Sequence, residues 1–353
     1  MKILSVVGAR PQFVKLGPVH RAITNAGFTH IIVHTGQHYD DKMSSVFFTE
    51  LDVPKPNLNL GVGSGSHGEQ TARMIEGLEK SFLEYKPDWI IIYGDTNSTL
   101  AAAIAATKIH IPIAHVEAGL RSFNRAMPEE INRIVADHCS DLLLAPTNAA
   151  MVQLEIEGLS GKSELVGDVM VDSLHFILDS LEKKPLNLNN QFDLPNEFLL
   201  ATIHRAENTD SKERIQSIVT ALSKSPVPIV IPAHPRLENR CSSFSINLNA
   251  GNLRSIRPLS YRELIQTAKN ARAIITDSGG LQKEAFLLAK VCTTIREETE
   301  WVETLEDNWN VLLPDLTGLT EISLREISKN KQKKPFGDGF ASQKIVEALT
   351  NRS

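Results

Sequence analysis

Short apolar runs, each followed by a polar or glycine-bearing turn and then a helical pattern, recur along the whole of this chain. In the first half they fall at 3–7, 30–34, 89–93, 111–116 and 141–145. In the second half they fall at 198–203, 227–232, 253–256, 273–276, 291–295 and 311–313. The runs are continuous, not alternating, as in Trp89-Ile90-Ile91-Ile92-Tyr93, which predicts parallel strands buried on both faces. Strands spaced by helices predict an α/β chain in which a helix-covered parallel sheet is built twice: two Rossmann-like units around one central cleft. Residues 183–191 are polar, Asn-rich and without helical period, and the linker is expected just before or within them. Residues 329–337 read as a solvated basic loop before a last short helix.

Composition narrows the function classes. A chain of 353 residues, 42% hydrophobic and 22% charged, buries a large core. A net charge of −5 without any long basic run excludes a dedicated nucleic-acid binder. No apolar stretch reaches the length of a membrane span, and no secretory signal opens the sequence. Cys139, Cys241 and Cys292 are scattered, the usage of a reducing cytoplasm and not of a disulfide scaffold or zinc knuckle.

Candidate chemistry gathers just after the strands. Asp95 follows the run 89–93 by one glycine, and Glu117 directly follows 111–116. Both are expected at strand C-termini, where open α/β sheets hold ligands. With Glu129 and Glu130 nearby, they form a set of carboxylates suited to acid/base work; each can instead cap a helix or pair with an arginine. Gly8-Ala9-Arg10-Pro11-Gln12, with Lys15, makes a strand-to-helix turn that attracts an anion but lacks the spacing of a dinucleotide fingerprint or P-loop. Gln37 and His38 follow the second strand and carry donors suited to sugar or phosphate oxygens. In the second half, Asp277-Ser278-Gly279-Gly280 opens a helix with bare backbone N–H groups that suit a diphosphate, and Glu284 lies where its carboxylate can accept two ribose hydroxyls. His204-Arg205 and His234-Pro235-Arg236 follow two further strands. Neither histidine has metal-ligand spacing, and no Gly-x-Ser-x-Gly elbow or Cys–His pair supports a covalent nucleophile.

Taken in order, Gly8-Ala9-Arg10-Pro11-Gln12, Thr35-Gly36-Gln37-His38, Gly94-Asp95-Thr96-Asn97-Ser98-Thr99, His115-Val116-Glu117-Ala118-Gly119-Leu120-Arg121, Pro128-Glu129-Glu130-Ile131-Asn132-Arg133, His204-Arg205-Ala206-Glu207-Asn208, Asp277-Ser278-Gly279-Gly280 and Thr299-Glu300-Trp301-Val302-Glu303 resemble the non-hydrolysing UDP-N-acetylglucosamine 2-epimerases. The resemblance implies a GT-B fold with UDP in the cleft. It implies one domain over 1–172, completed by a helix at 338–353, and a second over 173–337. It also implies a homodimer in the cytoplasm, no cofactor and no metal. It further implies elimination of UDP to a 2-acetamidoglucal and re-addition from the other face of C2. On this reading Asp95, Glu117 and Glu129 do the acid/base work beside Arg133 and His204. Arg10, Lys15, His204, Ser278, Gly279, Gly280 and Arg296 serve the diphosphate, and Glu284 the ribose. Gln37, His38, Arg73 and His234 are candidates for the site of a second, activating nucleotide.

The chain departs from the commoner members, which read Gly-Thr-Arg-Pro-Glu at the first turn and Thr-Glu-Arg-Pro-Glu where Trp301 and Val302 stand here. These variants resemble the branch acting on UDP-2,3-diacetamido-2,3-dideoxyglucuronate in O-antigen synthesis. A C6 carboxylate calls for an extra cation, and Arg121 or Arg125 is expected to supply it; an internal ion pair is the alternative for either. A hydrolysing 2-epimerase, a GT-B glycosyltransferase and a non-catalytic nucleotide sensor are the rival functions.

Overall fold

The structure, a computed structural model, describes residues 1–37, 52–326 and 332–352, excepting the side chain of Arg10. Packing divides the chain into two units: Met1–Phe176 with Lys334–Ser353, and Ile177–Lys333. Residues 183–191 therefore lie inside the second unit, and the division between the units falls just before them. Leu188 is buried in its core, and Leu186 exchanges backbone bonds with the Gln266 side chain at 2.9 and 2.6 Å, so two apolar side chains outweigh the Asn-rich composition.

In the first unit the strands are β1 (Lys2–Val7), β2 (Thr29–His34), β3 (Leu58–Asn59), β4 (Trp89–Tyr93), β5 (Ile113–Val116), β6 (Leu142–Ala145) and β7 (Ser163–Leu165). The helices are α1 (Arg10–Asn25), α2 (His67–Tyr85), α3 (Asn97–Lys108), α4 (Pro128–Cys139), α5 (Asn148–Ile156) and α6 (Val169–Lys183), the last of which runs past Phe176 into the second unit. The strands form one parallel sheet in the order β3-β2-β1-β4-β5-β6-β7. Leu4, Val6, Ile90 and Ile92 bury one face of it against α2 and α3. Helix α3 is buried nearly all round because it presents Ala101, Ala102, Ala103, Ala105 and Ala106, whose small side chains let its neighbours approach closely.

The second unit continues with α7 (Leu188–Phe192), β8 (Leu199–Thr202), α8 (Ala206–Thr209), α9 (Lys212–Ser223), β9 (Ile229–Pro232), α10 (Pro235–Phe244), β10 (Leu253–Ile256), α11 (Tyr261–Asn270), β11 (Ala273–Thr276), α12 (Gly279–Leu287), β12 (Val291–Thr294), β13 (Asn310–Leu312) and α13 (Leu319–Ser323). Its parallel sheet runs β10-β9-β8-β11-β12-β13. Leu199, Ala201 and Ile275 enter the core on one face, and Leu200, Ile274 and Cys292 the core on the other. Both faces are thus covered, which is why these strands read as unbroken apolar runs.

A final helix, α14 (Ala341–Asn351), returns to the first unit and packs on α1. The Asp172 carboxylate of α6 accepts from Ala341 N, Ser342 N and Ser342 Oγ at 3.2, 2.9 and 2.6 Å, tying down the first turn of α14. Ile345 and Leu349 are fully buried beneath it.

Each sheet reverses its strand order once, between β1 and β4 and between β8 and β11. Doubly wound sheets open a crevice at the carboxyl ends of such strands, so the turns after these four strands are the candidate ligand edge.

Candidate functional site

In the first unit, β4 and β5 pair through Tyr93 and Val116, so the chain leaves both strands side by side. Gly94 turns at φ 60° and its N–H is bonded to Val116 O at 3.0 Å. Glu117 itself stands at φ 72°, a left-handed conformation costing a side-chain-bearing residue roughly 1–2 kcal/mol. Such strain persists where surrounding structure over-determines it, and here the N–H groups of Glu117 and Ala118 both reach Leu144 O. The Glu117 carboxylate meets Lys15 Nζ at 2.5 Å, both side chains about a tenth exposed. A Cβ on Gly94 would lie 3.3 Å from Lys15 Nζ and 3.9 Å from Glu117 Oε1, so the pair sits directly against the turn that leads to Asp95.

Helix α4 closes this side. Arg133 donates to Asp95 Oδ2 at 2.6 Å and to Glu130 Oε2 at 3.0 Å, and Asn132 Nδ2 donates to Asp95 O at 2.8 Å. The first turn of α4 separates its two adjacent glutamates. Glu130 is buried and accepts from Ser122 N, Ser122 Oγ and Phe123 N, whereas Glu129 remains exposed. The spacing alone did not distinguish them; the signal was that Ser122 and Phe123 need an acceptor where their loop meets the helix.

At the first turn, Gln12 is buried and makes four bonds. Its Oε1 accepts from Gly8 N and Ala9 N at 2.7 and 3.0 Å, and its Nε2 donates to Tyr93 O and Thr99 Oγ1 at 2.9 and 3.1 Å. An ionised carboxylate has no proton for the last two acceptors, so glutamine is the residue that completes this turn. A Cβ on Gly8 would come within 2.1 Å of Ser98 Oγ and Thr35 Oγ1, so only glycine fits. Gln37 caps the same corner, its Oε1 accepting from Ser98 N and Oγ at 3.1 and 2.7 Å. The side chain of Arg10, and His38, lie outside the described residues. Arg73 pairs with Glu69 and donates to Val62 O at 3.3 Å.

Arg121 takes the alternative of an internal ion pair. Its Nε and Nη2 both donate to Glu157 at 2.8 Å, Nη1 reaches Asp137 at 2.7 Å, and its side chain is 2% exposed. Burial alone would push both carboxyls up; donors including His115 for Asp137, and Arg121 for both, more than offset this. Asp137 therefore sits below its usual range, and Glu157 falls to about 2. A guanidinium clamped in this way is part of the fold. Arg125 is exposed.

The second unit presents different groups at its reversal. His204 Nδ1 lies 3.1 Å from Asp277 Oδ1, and that buried carboxylate also accepts from His204 N, Arg205 N and Asn208 Nδ2. Burial raises the Asp277 carboxyl, but these donors, His204 first, bring it below its usual range. Asp277 thus acts from beneath the turn as the orienter of His204. The His204 and His234 rings lie 5.4 Å apart, and His234 caps α10 by accepting from Arg236 N at 3.2 Å. Ser278 caps α12, accepting from Leu281 N at 3.4 Å, and Glu284 is buried two turns in. Arg296 Nη1 pairs with Glu300 at 3.1 Å, and a Cβ on Gly279 would strike Glu300 Oε1 at 2.8 Å. Trp301 is buried, with Lys283 Nζ 3.6 Å above its ring, a cation–π contact that accounts for an aromatic residue here. Burial pushes the Cys292 thiol to about 12, which removes it as a nucleophile. Among the described residues no group of three or more His, Cys, Asp or Glu side chains is arranged to hold a metal ion, and no helix is long and apolar enough to cross a membrane.

The sequence profile of the UDP-N-acetylglucosamine 2-epimerase family matches residues 21–350. The chain belongs to this family. It is 47% identical to a UDP-N-acetylglucosamine 2-epimerase homologue of Methanococcus maripaludis, over 99% of this chain and 100% of that protein. It is 45% identical to the UDP-2,3-diacetamido-2,3-dideoxy-D-glucuronate 2-epimerase of Pseudomonas aeruginosa, over 99% of each. The crystal structure of the Methanocaldococcus jannaschii UDP-GlcNAc 2-epimerase, in complex with UDP-GlcNAc and UDP, superposes with a TM-score of 0.91 at 41% identity, covering 99% of this chain and 100% of that one. The two parallel sheets are those of a UDP-sugar 2-epimerase of the GT-B type. In this family member, Asp95 of the first unit and the helix-end donors of the second stand at the reversals of their sheets, with Glu117 one strand further on.

Proposed function

We propose that the chain is a non-hydrolysing C2 epimerase of a UDP-N-acetylhexosamine-type nucleotide. The observation that carries this is the pairing of Lys15 with Glu117 and of Arg133 with Asp95 at adjacent strand ends, in a member of this family. Two carboxylates each paired with a cation, with Glu129 exposed on the helix that carries Arg133, suit proton removal and return at C2. The proton leaves C2 as the C1–oxygen bond to UDP breaks, giving a C1=C2 double bond. UDP then adds back to C1 while C2 is protonated on the opposite face. Ser278, Gly279, Gly280, Arg296 and His204 of the second unit would bind and stabilise the diphosphate through the helix N-terminus at Ser278 and cationic donors, and Arg10 would add a further cation. Glu284 would accept the ribose hydroxyls, and Lys15 would balance charge at the leaving group. Gln37, His38, Arg73 and His234 remain the candidates for a second nucleotide.

For the substrate, the relationship to the P. aeruginosa enzyme supports the diacetamido-glucuronate nucleotide, and Arg125 is then the cation for the C6 carboxylate, since Arg121 is committed to Asp137 and Glu157. Surface-polysaccharide synthesis, a cytoplasmic location and a homodimer belong to the same reading. Incubation with each nucleotide in deuterium oxide, followed at C2 by NMR, tests it. Deuterium at C2 of the epimer with a trace of UDP is expected. Retention of the original hydrogen would overturn the elimination, and stoichiometric free sugar would make the enzyme hydrolysing.

A further inference from the structure

Asp137 and His115 are fully buried, and their connections converge on the turns that carry the carboxylates. His115 Nδ1 lies 2.7 Å from Asp137 Oδ1, and His115 Nε2 lies 2.8 Å from Gly94 O, the carbonyl just before Asp95. The ring therefore bridges the Asp137 carboxylate and the Gly94 carbonyl. The other oxygen of Asp137 accepts from Gly119 N at 3.1 Å, in the turn that begins with Glu117, and from Arg121 Nη1 at 2.7 Å. Gly94, Glu117 and Gly119 all have positive φ, at 60°, 72° and 84°, so neither turn is held by backbone preference alone.

One face of α4 gathers these restraints. Asp137 is one helical turn beyond Arg133, which holds the Asp95 side chain, and Asn132 holds the Asp95 carbonyl. The same helix therefore fixes the turn before Asp95 through His115, Asp95 itself through Arg133, and the turn of Glu117 through Gly119. A buried ion pair is poor evidence for stability, because well-packed apolar residues of similar volume serve as well. Its value lies in direction: each bond ends on a group whose displacement would move a reacting carboxylate.

We propose that His115 and Asp137 are positioning residues for the epimerisation, setting Asp95 and Glu117 relative to each other without touching substrate. The proposal rests on the epimerase reading above. Misplacement by about 1 Å from a remote change can cost on the order of 100-fold in rate, so loss of either partner is expected to act on turnover.

The test is steady-state epimerisation by the full chain with both candidate nucleotides, alongside calorimetric UDP binding and thermal melting. For His115→Leu and Asp137→Leu, kcat should fall about 10- to 100-fold while KM and the UDP Kd stay within about threefold. His115→Gln, which can still donate to Gly94 O, should recover part of kcat. It also decides the question if the Leu variants do not fold, because the proposal still requires its kcat to lie below wild type. Wild-type kcat in the variants with only a lowered Tm would make the pair structural and overturn the proposal. So would equal losses in kcat and UDP affinity. A wild-type chain that turns over neither nucleotide would instead sink the epimerase reading itself.

Discussion

Each unit contains a histidine bound to a buried aspartate, and the two pairs are built differently. His115 is wholly enclosed: Asp137 holds one nitrogen at 2.7 Å and a backbone carbonyl the other. His204 has one nitrogen against Asp277 at 3.1 Å, and its side chain is 37% exposed. In both cases burial lifts the aspartate and the donors around it bring it back below its usual range, so the carboxylate chemistry is shared. What differs is where the second nitrogen goes. Spent on Gly94 O, it makes His115 an element of the frame. Left outside the pair, it makes His204 a group that can meet a ligand. The units divide similarly, with carboxylates after β4 and β5 of the first sheet and a histidine, glycines and a helix N-terminus at the reversal of the second.

That division predicts separable defects. The largest belong to the first unit: Asp95→Asn, Glu117→Gln and Glu129→Gln should each lower kcat by about 10²–10⁴-fold, the usual contribution of positioned acid/base groups. UDP affinity measured calorimetrically should barely change; if it fell alongside kcat, the contrast between the units would collapse. Next in size is selectivity. If Arg125 reads a C6 carboxylate, Arg125→Met should erase a preference worth roughly 1.5–3 kcal/mol, read as the ratio of kcat/KM for the two nucleotides. Glu284→Ala should show the complementary defect in the second unit, weakening UDP binding by roughly 1–3 kcal/mol with proton exchange at C2 retained under saturating substrate.

The smallest effect concerns acid. Burial, followed by the neighbouring His20, lowers His30 to about 3. The unfolded chain, with an ordinary histidine, then binds more protons than the folded one between about pH 6.5 and 3. Stability of the first unit should fall as pH drops through that window, by at most about 1.4 kcal/mol per pH unit, and His30→Gln should flatten the slope. Trp89 lies in the first unit and Trp301 with Trp309 in the second, so variants that keep only one of these sets let fluorescence follow each unit. A slope unchanged in His30→Gln would assign the acid sensitivity elsewhere.

The strands were legible because a sheet covered on both faces needs continuous apolar runs, and eleven such runs foreshadow β1, β2, β4 to β6 and β8 to β13. Edge strands β3 and β7 were not, since two or three residues such as Leu58–Asn59 carry no run to detect. The positions of Asp95 and Glu117 at strand ends followed from the same logic. Their partners did not. Arg133 meets Asp95 across 38 residues and Asp137 meets His115 across 22, and nothing in local spacing encodes such pairings. Arg121 shows the same limit from the other side, since the glutamate that claims it lies 36 residues on.

Helix α14 bears on how the protein is made. Asp172 caps it, α1 lies against it, and Ile345 and Leu349 fill the core beneath it. The unit that contains the earliest residues is therefore completed by some of the latest. The second unit, an uninterrupted segment from Ile177 to Lys333, has all its parts once that stretch has left the ribosome. The first must wait, its α1 face uncovered, until residues 341–351 emerge, which sets the order of maturation during translation opposite to the order of the sequence.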